Sequence, residues 1–382
     1  MTDVTHSPDS RRGGVHIRGT TALDMEAARR NVLDQLGALG LDRYVETTDE
    51  TDGGSLRIGF RLREEFAGEW APGSDTIPLC RKLNLDAQSN SGDLEREILL
   101  AMMLSPVAFE FPSHQELASA VRIRKNIVEA ARATALAFHT SEAERPADCW
   151  SYAKGRGFTV LPGNSLIAAL QKATQPGASG ELYSFSCYRA TEYVILLGIA
   201  QELMNCNPEL YRRLQTQWET RAIMSGEFHE VFLREYGSMS EPLPVKYYVP
   251  GDRLWFRNPD DNSSDVTGYE GSWVFYLGCG LFTNFWKRDN PYTLTSKCLE
   301  LFHWRNATCR DQAGALQIDE TVVEQRVRSS MNDPAEVERI LGIMLRLRDP
   351  KGVYADGGCI DTSREYPRWV CPGTSDMVLP GS

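Results

Sequence analysis

The stretch from Tyr193 to Ala200 is an unbroken apolar run of eight residues, and it lies inside a helical pattern that is apolar on every side. A helix of that kind has no face to offer water, so other elements must pack all around it. The run is far shorter than the roughly 20 residues that cross a bilayer. Burial at the centre of a protein core is what remains. Any fold for this chain is therefore built around the helix of Val194, Ile195, Leu196, Leu197, Ile199, Ala200 and Leu203.

The head of that helix carries the most distinctive chemistry. Ser186 is a good N-cap, which places Cys187 in the first turn. The unpaired backbone N–H groups and the positive end of the helix dipole there favour a thiolate. The same amides can hold an oxyanion formed from an acyl substrate. A Gly-, Ala- and Ser-rich loop, 171–181, feeds this point. A cysteine packed as a small hydrophobe is the alternative reading. The other thiols lack such a setting: Cys206 is at the wrong end of the helix and Cys279 sits in a tight turn.

The 382 residues hold 41 Lys and Arg against 52 Asp and Glu, a net charge of −11. That balance argues against general affinity for nucleic acid or anionic lipid. With 42% hydrophobic and 24% charged residues the chain reads as a soluble globular protein, with no membrane partner. Residues 1–20 lack an apolar run, so no secretory signal is expected. Nine cysteines, an odd number with no C-x-x-C pair, exclude common zinc-ribbon spacings and disfavour a disulfide framework. The expectation is a cytoplasmic protein with reduced thiols, no cofactor and no metal.

Along the chain, residues 1–21 read as a flexible tail and 22–100 as an α+β extension. The extension has a helix from Met25 to Leu39 and an alternating strand from Ser55 to Leu62. Ser113 to Glu116 forms a capping-box pattern that opens a helix to about Phe138. Arg122, Arg124, Lys125 and Arg132 are expected mostly on its solvated face. Arg253 to Phe256 is strand-like. Trp273 to Leu277 and Leu281 to Trp286 form a hairpin joined by Gly278-Cys279-Gly280. Helices follow near Ser296–Trp304 and Glu336–Leu347, and 349–382 reads as an irregular tail.

A thiol nucleophile needs a base and an orienting group. His229 and His303 are the histidines outside the tail and the ends of the capping-box helix. Glu270, Asp265 and Asp252 are the nearby acids.

At these positions the sequence resembles the small bacterial spore-type protein-glutamine gamma-glutamyltransferases, the transglutaminases of Bacillus, from about Leu104 to about Ile318. The resemblance is carried by Ser105-Pro106-Val107-Ala108-Phe109, by Arg124-Lys125-Asn126-Ile127-Val128 and by Phe185-Ser186-Cys187 with Ala190-Thr191. Gly251 to Pro259, Gly271 with the hairpin, and Gly314-Ala315-Leu316-Gln317 complete it. It implies an α+β fold with a papain-like (NlpC/P60-type) core over 101–348, a cysteine-headed helix packed on an antiparallel sheet. It also implies calcium-independent chemistry: a glutamine side chain acylates the cysteine, ammonia leaves, and a lysine amine takes the acyl group.

Tyr188 and Arg189 intervene before the Ala-Thr pair that directly follows the family's cysteine, so Cys187 matches with a two-residue shift. The family's glutamate falls on Ser272 and its histidine at Phe285 or Asn284. Glu270 lies on the same strand face as Ser272 if the strand extends that far. The expected catalytic set is Cys187, Glu270 and His303, with Ser272, Asn284, Trp273 and Trp286 binding substrate. The expected partners are a protein or carrier-bound acyl donor and an amine acceptor. Two alternatives stand beside this cysteine acyltransferase: a binding module that has lost catalysis, and an amide-forming enzyme acting on carrier-bound thioesters.

Overall fold

A computed structural model describes residues 13–52, 55–137, 143–349 and 357–380. Four strands, β1 (Gly14–Gly19), β2 (Val45–Asp52), β3 (Ser55–Leu62) and β4 (Ala108–Phe111), form the first sheet in the order β2-β3-β1-β4. Helix α1 (Ala22–Ala38), opened by a Thr21–Asp24 capping box, packs on it. β1, one of the two inner strands, is antiparallel to β3 and parallel to β4, and buries Val15 and Ile17.

Two boundaries read from the sequence are thereby corrected. The segment 14–19 is structural strand, not tail, and β4 carries the extension's sheet past residue 100. Residues 1–12 of the expected tail lie outside the described residues.

The core helix α4 (Cys187–Cys206) is enclosed by α3 (His114–Ala133), the helices Leu166–Thr174 and Pro208–Thr220, and a second sheet, and α2 (Ser91–Met103) packs against α3. α3 and α4 approach so closely that a Cβ on Gly198 would stand 2.7 Å from Ile127 Cγ1. The second sheet contains β5 (Leu233–Tyr236), β6 (Arg253–Arg257), β7 (Gly271–Gly278), β8 (Leu281–Phe282), β9 (Tyr292–Thr293) and β10 (Arg364–Pro367). Its order is β9-β8-β7-β6-β10-β5, antiparallel throughout. Trp255 of β6 is opposite Trp273 of β7, and Glu365 of β10 is opposite Arg253 of β6.

The expected C-terminal tail therefore supplies an interior strand, a second correction at the chain ends. α5 (Leu294–Trp304), α6 (Glu320–Met331) and α7 (Pro334–Met344) pack a second, smaller core against the sheet, shared with Leu254, Phe256, Val274 and Phe282.

Two local expectations on α3 change for a common reason: partners distant in sequence claim the side chains. Ser113 caps the helix as expected, but the buried Glu116 carboxylate accepts the N–H groups of Val370 and Cys371 instead. Arg124 is wholly buried, its Nη1 2.8 Å from Asp252 Oδ1. Lys125 pairs with Glu95 at 2.8 Å.

Candidate functional site

Ser186 occupies the N-cap of α4, its hydroxyl accepting the Arg189 N–H at 3.3 Å. Cys187 follows as the first helical residue, half-buried, with its helix packed on β7. Burial pushes the thiol above the ordinary cysteine range, outweighing the opposing influences. The Trp273 backbone N–H, the Lys297 ammonium, the Tyr188 backbone and the Arg253 guanidinium pull in the other direction. The helix N-terminus alone suggested a lowered value. Desolvation reverses that expectation.

Arg253 is one of two buried cations that act on the thiol. Only 1% exposed, its guanidinium lies 4.5 Å from the Tyr188 ring centroid and 4.2 Å from that of Trp273. Those two rings meet edge to face at 5.3 Å, and Trp273 stacks on Trp255 at 5.9 Å. Arg253 Nη1 is 3.1 Å from Glu365 Oε2, while His229 Nδ1 is 2.9 Å from Glu365 Oε1. The Glu365 carboxylate raises the His229 pKa. Nε and Nη2 of Arg253 have no hydrogen-bond partner among the described residues. Unpartnered buried guanidinium nitrogens recur in this chain, on Arg124 and Arg364 among others, and those of Arg253 are set apart by standing beside a thiol, where they can meet negative charge.

Lys297, the second cation acting on the thiol, is also buried. It binds Glu300 at 2.8 Å and stands 4.1 Å from the Tyr292 ring centroid. At the head of α4 a cavity of about 500 Å³ is lined by Arg145, Phe158, Phe185, Ser186, Arg189 and Tyr193, among others. Buried Arg145 lies against three aromatic rings there, nearest Phe185 at 3.4 Å. Arg189 pairs with buried Glu192 at 2.6 Å.

The other expected site residues are dispersed. Glu270 is exposed, and its carboxylate accepts the Gly268 N–H at 3.1 Å; it is not among the main groups acting on Cys187. His303 is held at Nδ1 by Asn306 (3.1 Å) and at Nε2 by Ser330 (2.9 Å) among the C-terminal helices, and burial lowers its pKa. Asn284 organises the turn after β8, donating to Asn290 O and accepting the Lys287 N–H, both at 3.1 Å. Ser272 is buried in the sheet opposite Phe256. Trp286 packs beside Phe285.

Of the expected residues, Cys187 and Trp273 come together, His303 is held among the C-terminal helices, and Glu270 is exposed and bonded to Gly268, which lines the cavity at the head of α4. Arg253, Lys297 and Glu365 were not singled out. Arg253 carried one sequence signal, a cation at the head of an aromatic and aliphatic strand. Glu365 carried none, because its strand has no local pattern.

A thiol at the N-terminus of a buried helix, set against an antiparallel sheet and flanked by buried cations, defines a candidate thiol-transfer centre. The profile of the family described as protein-glutamine gamma-glutamyltransferase matches residues 77–367, about three-quarters of the chain. The chain belongs to that family. It is 25% identical over 219 residues to a protein-glutamine gamma-glutamyltransferase of Halalkalibacterium halodurans, covering 55% of this chain and 70% of that one. A transglutaminase from Geobacillus stearothermophilus, solved without its C-terminal extension, is similar at 21% identity and a TM-score of 0.38. That likeness covers 56% of this chain and 98% of the other. Among the described residues no helix is long and apolar enough to cross a membrane.

Proposed function

We propose that this protein transfers acyl groups through Cys187, taking them from a glutamine carboxamide of a protein substrate and passing them to an amine. Family membership supports the reaction class. The observation that carries the site is the open guanidinium of Arg253 beside the thiol. The thiolate attacks the carboxamide carbon, and negative charge develops on its oxygen. The free Nε–H and Nη2–H of Arg253 and the Trp273 N–H are the donors offered to that charge. Ammonia leaves a Cys187 thioester, and a primary amine then attacks the carbonyl and restores the thiol. Water in place of the amine gives deamidation.

Glu365 holds Arg253 in place from the opposite strand and neutralises part of its charge. The raised thiol pKa means that the resting site holds a protonated cysteine, so turnover rises as pH increases. A helix-borne thiol on an antiparallel sheet fits the papain-like core expected from the sequence. Its partners here are cations, not the carboxylate and imidazole of that expectation.

A second reading, a binding module that has lost catalysis, is favoured by the engagement of both His303 ring nitrogens with Asn306 and Ser330. Incorporation of a fluorescent primary amine into casein distinguishes the two. Acyl transfer requires incorporation in the native protein and its absence in Cys187→Ala. Absence in both leaves the binding reading.

A further inference from the structure

Six of the nine cysteines stand in three pairs that the sequence spacing conceals. Cys298 of α5 and Cys359 are both fully buried, with sulfurs 3.7 Å apart. Cys80 and Cys279 place their sulfurs within 4.8 Å of each other beside Glu97. Cys206, the last residue of α4, lies beside Cys371, whose thiol donates to Gln115 O at 3.7 Å. No cysteine is among the main groups acting on Cys149 or Cys187, and Cys309 is exposed.

The arrangement around Glu97 is not that of an ion site. Its carboxylate already accepts the Cys80 thiol at 3.0 Å, the Tyr276 hydroxyl at 3.0 Å and the Cys279 N–H at 2.9 Å. Cross-linking asks less: non-bonded sulfurs at 3.7 Å need to close by under about 2 Å to reach a disulfide bond.

We infer that Cys80–Cys279, Cys206–Cys371 and Cys298–Cys359 are three disulfide-forming sites, filled by exchange with a small-molecule disulfide such as oxidised glutathione, while Cys187 stays outside the cross-links. In each pair one thiolate attacks the external disulfide, forming a mixed disulfide and releasing one external thiolate. The second cysteine thiolate then attacks the protein-bound sulfur and releases the other. Two electrons pass to the oxidant, and the two protons lost by the cysteines end on the released thiolates. Half-buried Cys279 and Cys206 admit the reagent, so their pairs close first and the enclosed Cys298–Cys359 pair last.

The placement has a consequence for the site. Cys359 and Cys371 bracket β10, the strand that brings Glu365 to Arg253. Two of the three cross-links therefore fasten to the core the segment that positions the guanidinium. The third fastens the tip of the β7–β8 hairpin through Cys279.

The test is incubation of the full native chain with oxidised glutathione, alkylation of remaining thiols in denaturant, and non-reducing peptide mapping by mass. The expected result is these three internal links and none to Cys149, Cys187 or Cys309. Cys279→Ser, Cys371→Ser and Cys359→Ser should each delete one link and leave the other two. No internal link, links scrambled among the nine cysteines, or a link to Cys187 would overturn the proposal. Stoichiometric zinc protecting Cys80 and Cys279 from oxidation would overturn it for that pair.

Discussion

Asp252 and Arg253 are neighbours in the chain, both buried, and each pairs with a residue far away in sequence. Around Asp252 the acid is fully engaged: Oδ1 takes Arg124 Nη1, and Oδ2 takes the Val249 N–H at 2.8 Å and the Tyr236 hydroxyl. Arg124 in turn lies near the rings of Phe109 and Tyr366, tying α3 to both sheets. Around Arg253 the engagement is partial. Glu365 meets Nη1, two aromatic rings cover the guanidinium, and Nε and Nη2 remain open next to a thiol. A buried charge whose lone pairs are all used holds elements together. Spare donors alone do not set Arg253 apart, since Nη2 of Arg124 also lacks a partner among the described residues; their place beside the thiol is what offers them to charge that arises during a reaction.

Breaking the structural half should have the largest effect. Asp252→Ala leaves the Arg124 cation buried without its partner and should cost about 3–5 kcal/mol of folding stability, read by urea unfolding. Arg253→Gln removes the cation from the reactive half. It should lower kcat/KM for amine incorporation about 100-fold, mainly through kcat, with a smaller loss of stability than Asp252→Ala. Equal destabilisation by the two variants, with kcat preserved in Arg253→Gln, would erase the distinction.

The pH dependence sharpens the comparison further. Because burial raises the folded Cys187 pKa above the unfolded value near 8.5, the thiol is protonated in both states at neutral pH and contributes no slope. Above about 8.5 the unfolded chain ionises first and binds fewer protons, so stability falls until the folded pKa is passed. Iodoacetamide labelling of Cys187, mapped by peptide mass, should follow the same course, slow at neutral pH with a midpoint above about 8.5. A midpoint well below that value would show the helix terminus and cations prevailing over desolvation.

The smallest effect is at His229. Glu365 raises its pKa above the ordinary histidine value, so the protonated ring stabilises the fold most at low pH. That contribution is lost as pH rises through the raised folded pKa. An NMR titration should place His229 above about 6.5, and Glu365→Gln should bring it down.

What the sequence showed plainly was local. Helix α4 and its Ser186 cap, the Ser55–Leu62 strand and the Arg253 strand follow from periodicity and capping within a few residues. The strands at 14–19 and 364–367 were missed because each is short, and long-range pairing alone makes it a strand. Glu116 was read through its capping pattern, yet its oxygens hold a backbone segment more than 250 residues away. The site divides in the same way. Cys187 was legible from its helix, whereas the Arg253–Glu365 pair exists only once β10 lies beside β6. Glu270 and His303 were plausible by residue type, and distant partners claim His303 just as they claim Glu116.

The most direct test is to trap the acyl-enzyme. The protein is mixed with a glutamine-containing peptide, quenched in acid before amine is added, and digested for mass mapping. The account requires the acyl mass on the Cys187 peptide and its loss on adding a primary amine, with formation of the amide product. Acylation of another residue, or amine incorporation that survives in Cys187→Ala, would contradict it.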